Sequence, residues 1–236
     1  MSKNKSKLRW KYVTEPFNVY VDPKQVKRVH APLKKSLTFE PEYQGYCLHL
    51  RTCERGVDEY GATVKYLYCT YDGRFFARGE DGWNEQKINH TPNCPSLKDR
   101  RSHSAYPIMR NFGGKYCHLC IVYAWHGARP EGMVCDHLDT NLLNLNATNF
   151  EWVTVPENFR RRGIARRMRQ IGLDPKLLTP TLCKGIYSLN QYQLDVFFNA
   201  LLYFCNQDPS PLSIDAIRLD VANALDTVKE QPNPNF

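Results

Sequence analysis

The stretch EGMVCDHLDTN, residues 131–141, decides how the chain is read. A short β-type run, MVCDH, ends on an acid beside an imidazole, and Asp139, Thr140 and Asn141 follow. Aspartate and histidine carry metal and acid–base chemistry, whereas Asp and Asn after a short strand are also ordinary turn formers that bond to their own backbone. Standing alone, Asp136 and His137 would be structural more often than not. Their meaning comes from what flanks them.

Downstream lies an Asn-rich loop with Asn144, Asn146 and Asn149, then FEWVT, residues 150–154, as a second short strand. PENFRRRGIARRMRQ follows, and the pattern predicts a helix over 155–170. Thr154 and Glu157 stand at capping-box spacing, and Pro156 is tolerated in a first turn. Upstream, KYCHLCIVYAWH at 115–126 is an apolar segment that reads as either a buried helix or a strand. The order is strand, loop, strand, helix.

Neighbours on a strand point to opposite faces unless the strand ends and bends there. Asn158 lies 21 residues beyond His137, near the start of the helix, and could return to the same place. A carboxylate oxygen of Asp136 and an amide oxygen of Asn158 are hard donors suited to Mg²⁺ or Mn²⁺, with water and phosphate completing the shell. His137, near such an ion but not bound to it, would suit deprotonation of an attacking water.

Residues 113–163 resemble an HNH endonuclease of the phage and intron homing type. The resemblance rests on the DHLDTN turn, the NFEWVT strand and the PEN that opens the helix. It implies an α+β protein with a ββα-metal core, in which His137 is the general base and Asp136 and Asn158 bind the divalent ion. Asn149 resembles the middle asparagine that holds the loop and orients the histidine. His118 resembles a histidine often found upstream, although beside two cysteines it reads better as a core residue. Thr140 stands where the family usually has glycine, and Phe150 replaces a leucine. YCTYDGRFFAR, residues 68–78, is similar to the β element that often precedes such nucleases; its Asp72-Gly73 is a hairpin signal.

Charge points to the same partner. The helix holds Arg160, Arg161, Arg162, Arg166, Arg167 and Arg169 against Glu157 alone, and an uncompensated basic face favours phosphate. Arg162, one turn after Asn158, is assigned to the scissile phosphate; the other five are assigned to the backbone of double-stranded DNA. The chain carries +8 overall; residues 186–236 hold two basic and six acidic residues, net −4, which leaves +12 on the rest.

Four segments are expected: a basic arm at 1–37 with ten Lys and Arg, a β-rich element with a long loop (79–104) at 38–112, the nuclease core at 113–180, and an acidic helical hairpin at 181–236. In the hairpin, Leu194, Phe197, Phe198, Leu201, Leu202 and Cys205 form one helical stripe. Ile214, Ile217, Val221, Leu225 and Val228 form another, with Ser213 as its N-cap. Two such helices are too small to bury their own apolar faces, so they are expected to pack on the nuclease body or on a second copy, with a homodimer through them favoured. A mean hydropathy of −0.55 and the lack of an apolar run near 18 residues argue against a membrane span. Lacking a signal-like start, the protein is expected in the cytoplasm, bacterial or phage-encoded. Nine cysteines in that setting are read as reduced thiols. Two alternatives stay open: a catalytically inactive DNA-binding protein on an HNH scaffold, and a zinc-stabilised interaction module around Cys117 and Cys120.

Overall fold

The computed structural model describes residues 8–89, 106–207 and 214–230. It divides into two compact units: Met1–Asp136 with Leu142–Val153, and His137–Asn141 with Thr154–Phe236. The fold is α+β.

The first unit is organised by one long strand. In chain order the strands are β1 (Arg9–Tyr12), β2 (Asn18–Val21), β3 (Val26–Arg28), β4 (Leu37–Glu40), β5 (Gly45–Val57), β6 (Thr63–Cys69), β7 (Phe75–Gly79) and β8 (Gly82–Glu85). β5 takes β1 and β2 along one edge, and β4 and β6 along the other, all antiparallel. The sheet continues β6–β7–β8 and ends with β3 parallel to β8. The basic segment expected as an arm therefore supplies three strands. Val21, fully buried, shows why: alternate apolar residues give that segment a face to bury, and burial outweighs its charge.

The Asp72-Gly73 signal is realised as the β6–β7 hairpin, with Tyr68 opposite Phe76 and Cys69 opposite Phe75. Period-two alternation sends Leu67, Cys69 and Phe75 to one side, and Tyr68, Phe76 and Trp83 to the other. Both sides are covered. The segment expected as one long loop at 79–104 contains β8; its portion at 90–105 lies outside the described residues. Short strands β9 (Ile108–Met109) and β10 (Lys115–Tyr116) pair and lead into helix α1 (Cys117–His126). The helix-or-strand ambiguity of 115–126 is resolved by burial on several sides, with Cys117, Cys120, Ile121, Val122 and Ala124 all packed into the sheet core. Strands β11 (Met133–His137) and β12 (Phe150–Thr154) form a separate two-stranded sheet.

The second unit is helical: α2 (Val155–Gln170), α3 (Pro180–Tyr187), α4 (Gln191–Gln207) and α5 (Ile214–Glu230). Thr154 caps α2 as expected, accepting from the Glu157 amide at 3.3 Å. A second capping box precedes α4: Asn190 Oδ1 accepts from Gln193 N–H at 2.9 Å, and Gln193 Oε1 accepts from Asn190 N–H at 3.0 Å. Leu194, Phe197, Phe198 and Leu201 of α4 and Val221, Ala224 and Val228 of α5 enter one core with Ile164 and Met168 of α2 and Ile186 and Tyr187 of α3. This corrects the reason given for a homodimer. The apolar faces of the hairpin are covered within the unit by α2 and α3, so they require no second copy. Leu202 departs from the expected stripe and is 42% exposed. The Cys205 side chain and Ser213 lie outside what is described.

Candidate nuclease site

Asp136 and Asn149 belong to the first unit. Asp136 is half-buried near the end of β11, and Asn149 is fully buried at the end of a 3₁₀ turn, immediately before β12. The Asn149 side-chain amide donates to the Asn144 carbonyl at 3.1 Å, and its backbone N–H bonds to Asn146 at 2.9 Å. Asn149 thus ties the loop to itself. Asn146 caps the turn, accepting from Thr148 N–H at 3.0 Å.

Residues with no recognisable signal hold that loop on the sheet. Ala147 N–H donates to the Tyr71 carbonyl at 2.8 Å, and His126 Nε2 donates to the Ala147 carbonyl at 2.8 Å. Leu145 is buried over Gly73, whose φ is +88°; a methyl there would stand 2.4 Å from the Leu145 oxygen. The hairpin glycine therefore serves two ends, a left-handed turn and a close approach of backbone.

His137 and Asn158 belong to the second unit. His137 is buried, and its carbonyl accepts from Thr140 N–H at 2.9 Å. Asp139, only 3% exposed, turns the chain by accepting from Asn141 N–H at 2.7 Å. It is a turn former, as its position in sequence suggested. Thr140 has φ +58°, the left-handed region in which a β-branched residue is rare and glycine is at ease. The departure from glycine is accommodated by a partner: Arg169 donates to Thr140 Oγ1 at 2.9 Å. Tyr187 of α3, 2% exposed, donates its hydroxyl to the Leu138 carbonyl at 3.0 Å. The turn after His137 is thus pinned from two helices. Asn158 is half-buried in the first turn of α2.

The six arginines do not act alike. Arg160 binds both oxygens of Glu157, at 2.7 and 2.9 Å, and donates to the carbonyls of Tyr187 and Leu189. Arg161 reaches Glu157 at 2.7 Å and lies over the Tyr187 ring. Arg160 hydrogen-bonding first, then Arg161, pulls the Glu157 carboxyl down to about 2 against the opposing effect of burial. Arg167 pairs with Asp195 at 2.7 Å over the Phe198 ring; Arg169 lies 3.8 Å from Asp174. Among the described residues, Arg162 and Arg166 carry no ion pair, and both are exposed. Four of the six arginines thus have partners within the second unit.

Other candidates settle as packing. His118, 8% exposed, lies among Tyr106, Tyr116 and Phe150, and burial pushes its imidazole down to about 4. Cys117 and Cys120 are fully buried beside Cys53 and Cys69, with burial raising the thiols. Among the described residues no three His, Cys, Asp or Glu side chains are grouped to hold a metal ion. Glu54 is fully buried in the same core. Its Oε1 lies 3.7 Å from Lys115 Nζ, its Oε2 has no hydrogen-bond partner among the described residues, and burial raises its carboxyl to about 7.

Compared with known families, residues 115–160 match the model described as HNH endonuclease. The matched stretch runs from β10 to the sixth residue of α2 and contains Asp136, His137, Asn149 and Asn158. No curated protein and no solved structure matches the chain. Among the described residues no helix is long and apolar enough to cross a membrane.

Proposed function

With an HNH-type endonuclease segment at residues 115–160 as the premise, we propose that the protein is a divalent-metal-dependent endonuclease that nicks double-stranded DNA in the manner of a homing enzyme. The observation that carries this is the family match, which encloses all four expected polar residues on a strand, loop, strand and helix. The proposal places the protein, bacterial or phage-encoded, in the cytoplasm.

In this reading His137 accepts a proton from a water molecule, and the resulting hydroxide attacks phosphorus in line as the 3′ oxygen departs. Asp136 and Asn158 would hold Mg²⁺ or Mn²⁺. Both present oxygen donors from half-buried positions, which suits a hard cation that keeps several waters. When bound, the ion would supply charge stabilisation at the leaving oxygen. Asn149 positions the loop between the strands, Arg162 meets the scissile phosphate, and Arg166 meets a neighbouring one. Arg160, Arg161, Arg167 and Arg169 keep the helix seated, and any phosphate contact of theirs competes with an internal partner. One such centre cuts one strand per event.

The test is supercoiled plasmid incubated with Mg²⁺ or Mn²⁺ and with chelator. A nicked product is expected with metal only. His137→Ala and Asp136→Ala should lower the rate by about 10²-fold to 10⁴-fold while DNA binding persists, the size of effect expected for losing a positioned base. Either variant cutting at the wild-type rate would remove that residue from the site.

A further inference from the structure

We propose that Phe159 is a wedge that enters the DNA between adjacent base pairs beside the cut, with Arg162 and Arg166, one and two turns further along the helix, gripping the phosphates next to it. The inference rests on the nuclease reading and adds a residue that distorts the substrate.

At about 100° per residue, Val155, Phe159, Arg162 and Arg166 fall along one stripe of α2. The face buried in the helical core, centred on Ile164 and Met168, lies on the opposite side. Among the described residues of the second unit nothing covers the stripe: Phe159 is 65% exposed, Val155 is 43% exposed, and both arginines are exposed. Asn158 borders it, about 70° round the helix axis. A large apolar ring left in water immediately after the proposed metal ligand is costly.

The arginines identify the occupant. Four of the six on this helix have partners of their own, on α2 itself, on α3 and α4, and at Thr140 and Asp174. The two that have none among the described residues are the two that share the stripe with the aromatic ring, and Arg162 lies 5.8 Å from the ring of Phe159 itself. Such a face fits a surface that is apolar along a narrow line and anionic beside it. Stacked base pairs between two phosphate rails have that pattern, and proteins that kink DNA insert apolar wedges flanked by basic residues. Opening the step next to the scissile phosphate would expose that phosphate to the residues that flank the wedge.

A wedge unwinds DNA wherever it binds, so the test needs no knowledge of a target sequence. Closed circular plasmid is relaxed by a metal-independent topoisomerase with the full-length protein in EDTA, where no cutting is expected, and the topoisomers are then resolved. The expected result is a change in linking number with wild type and with Phe159→Leu, and none with Phe159→Ala at equal plasmid occupancy. With Mg²⁺, Phe159→Ala should nick about tenfold more slowly, the size of one lost base–aromatic contact. The ring is exposed, so thermal unfolding should coincide for all three proteins.

A wild type that coats plasmid without changing its linking number, or a Phe159→Ala variant that changes it as wild type does, overturns the wedge and leaves Phe159 as part of a protein interface. The two readings fail separately. Phe159-dependent unwinding by a protein that never nicks would remove the nuclease and keep the wedge, whereas nicking that is indifferent to residue 159 would do the reverse.

Discussion

Gly73→Ala tests whether the sheet hairpin sets the position of the loop that carries Asn149. Three effects combine. Holding alanine at φ +88° costs about 1–2 kcal/mol. The new methyl would stand 2.4 Å from the Leu145 oxygen and 2.5 Å from its Cβ, and forcing that contact apart costs about 1–3 kcal/mol. The less flexible unfolded chain returns about 0.4–1 kcal/mol. The net is a loss of about 3 kcal/mol, or about 10 °C in melting temperature for a protein of this size. Gly61→Ala is the internal control. Its φ is +85°, almost the same, but nothing lies within 4 Å of the added methyl, so it should cost about 1 kcal/mol or less. Calorimetry on both variants separates backbone strain from the Leu145 contact. Nicking well below the melting temperature should fall for Gly73→Ala alone, because Leu145 lies two residues before the Ala147 link to Tyr71 and four before Asn149. Equal destabilisation of the two variants would refute the argument that Leu145 docks on Gly73.

Glu54→Gln should stabilise the protein increasingly as pH rises. The folded-state carboxyl is raised to about 7, so its contribution is fully present below the unfolded value near 4.5 and lost as pH climbs through 7; the resulting penalty is at most about 3 kcal/mol. Melting temperatures that differ between the two proteins by the same amount at pH 5 and pH 8 would contradict a raised Glu54. Replacing Arg162 and Arg166 together by alanine should lower the slope of log affinity against log salt by about 1.8 on duplex DNA, about 0.9 for each lost phosphate contact. Arg160→Ala and Arg167→Ala should leave that slope alone and lower the melting temperature modestly, and the opposite pattern would reverse the division of the arginines. Thr140→Gly should be near neutral, since relief of about 1–2 kcal/mol of strain is offset by glycine's entropy and by loss of the Arg169 bond. Thr140→Ala keeps the strain and loses the bond, so it should melt lowest of the three, and any other order in a denaturant titration would mean that the turn is not strained.

Local physics wrote part of this protein directly into its residues. The Asp72-Gly73 turn, the capped start of α2 at Thr154, the two flanking strands 133–137 and 150–154, and the turn chemistry of Asp139 and Asn146 each depend on neighbours a few positions away. Those interactions are readable because their partners lie within the same window. The apolar stripes of α4 and α5 were readable for the same reason, but what covers them was not: a stripe specifies that a face must be buried and is silent on whether α2, α3 or another copy buries it. Residues 1–37 read as a basic arm because charge dominates their composition; only the presence of β5 and β8 as partners makes strands within residues 9–28. The helix arginines form one cluster in sequence, and tertiary structure separates them. Glu157, Asp195, Asp174 and the carbonyls of Tyr187 and Leu189 engage four, while Arg162 and Arg166 are left outward with Phe159. Tyr187, which holds the Leu138 carbonyl, and Gly73, on which Leu145 sits, act across 49 and 72 residues. Contacts at that separation have no periodicity to announce them, so they exist only once the chain has folded.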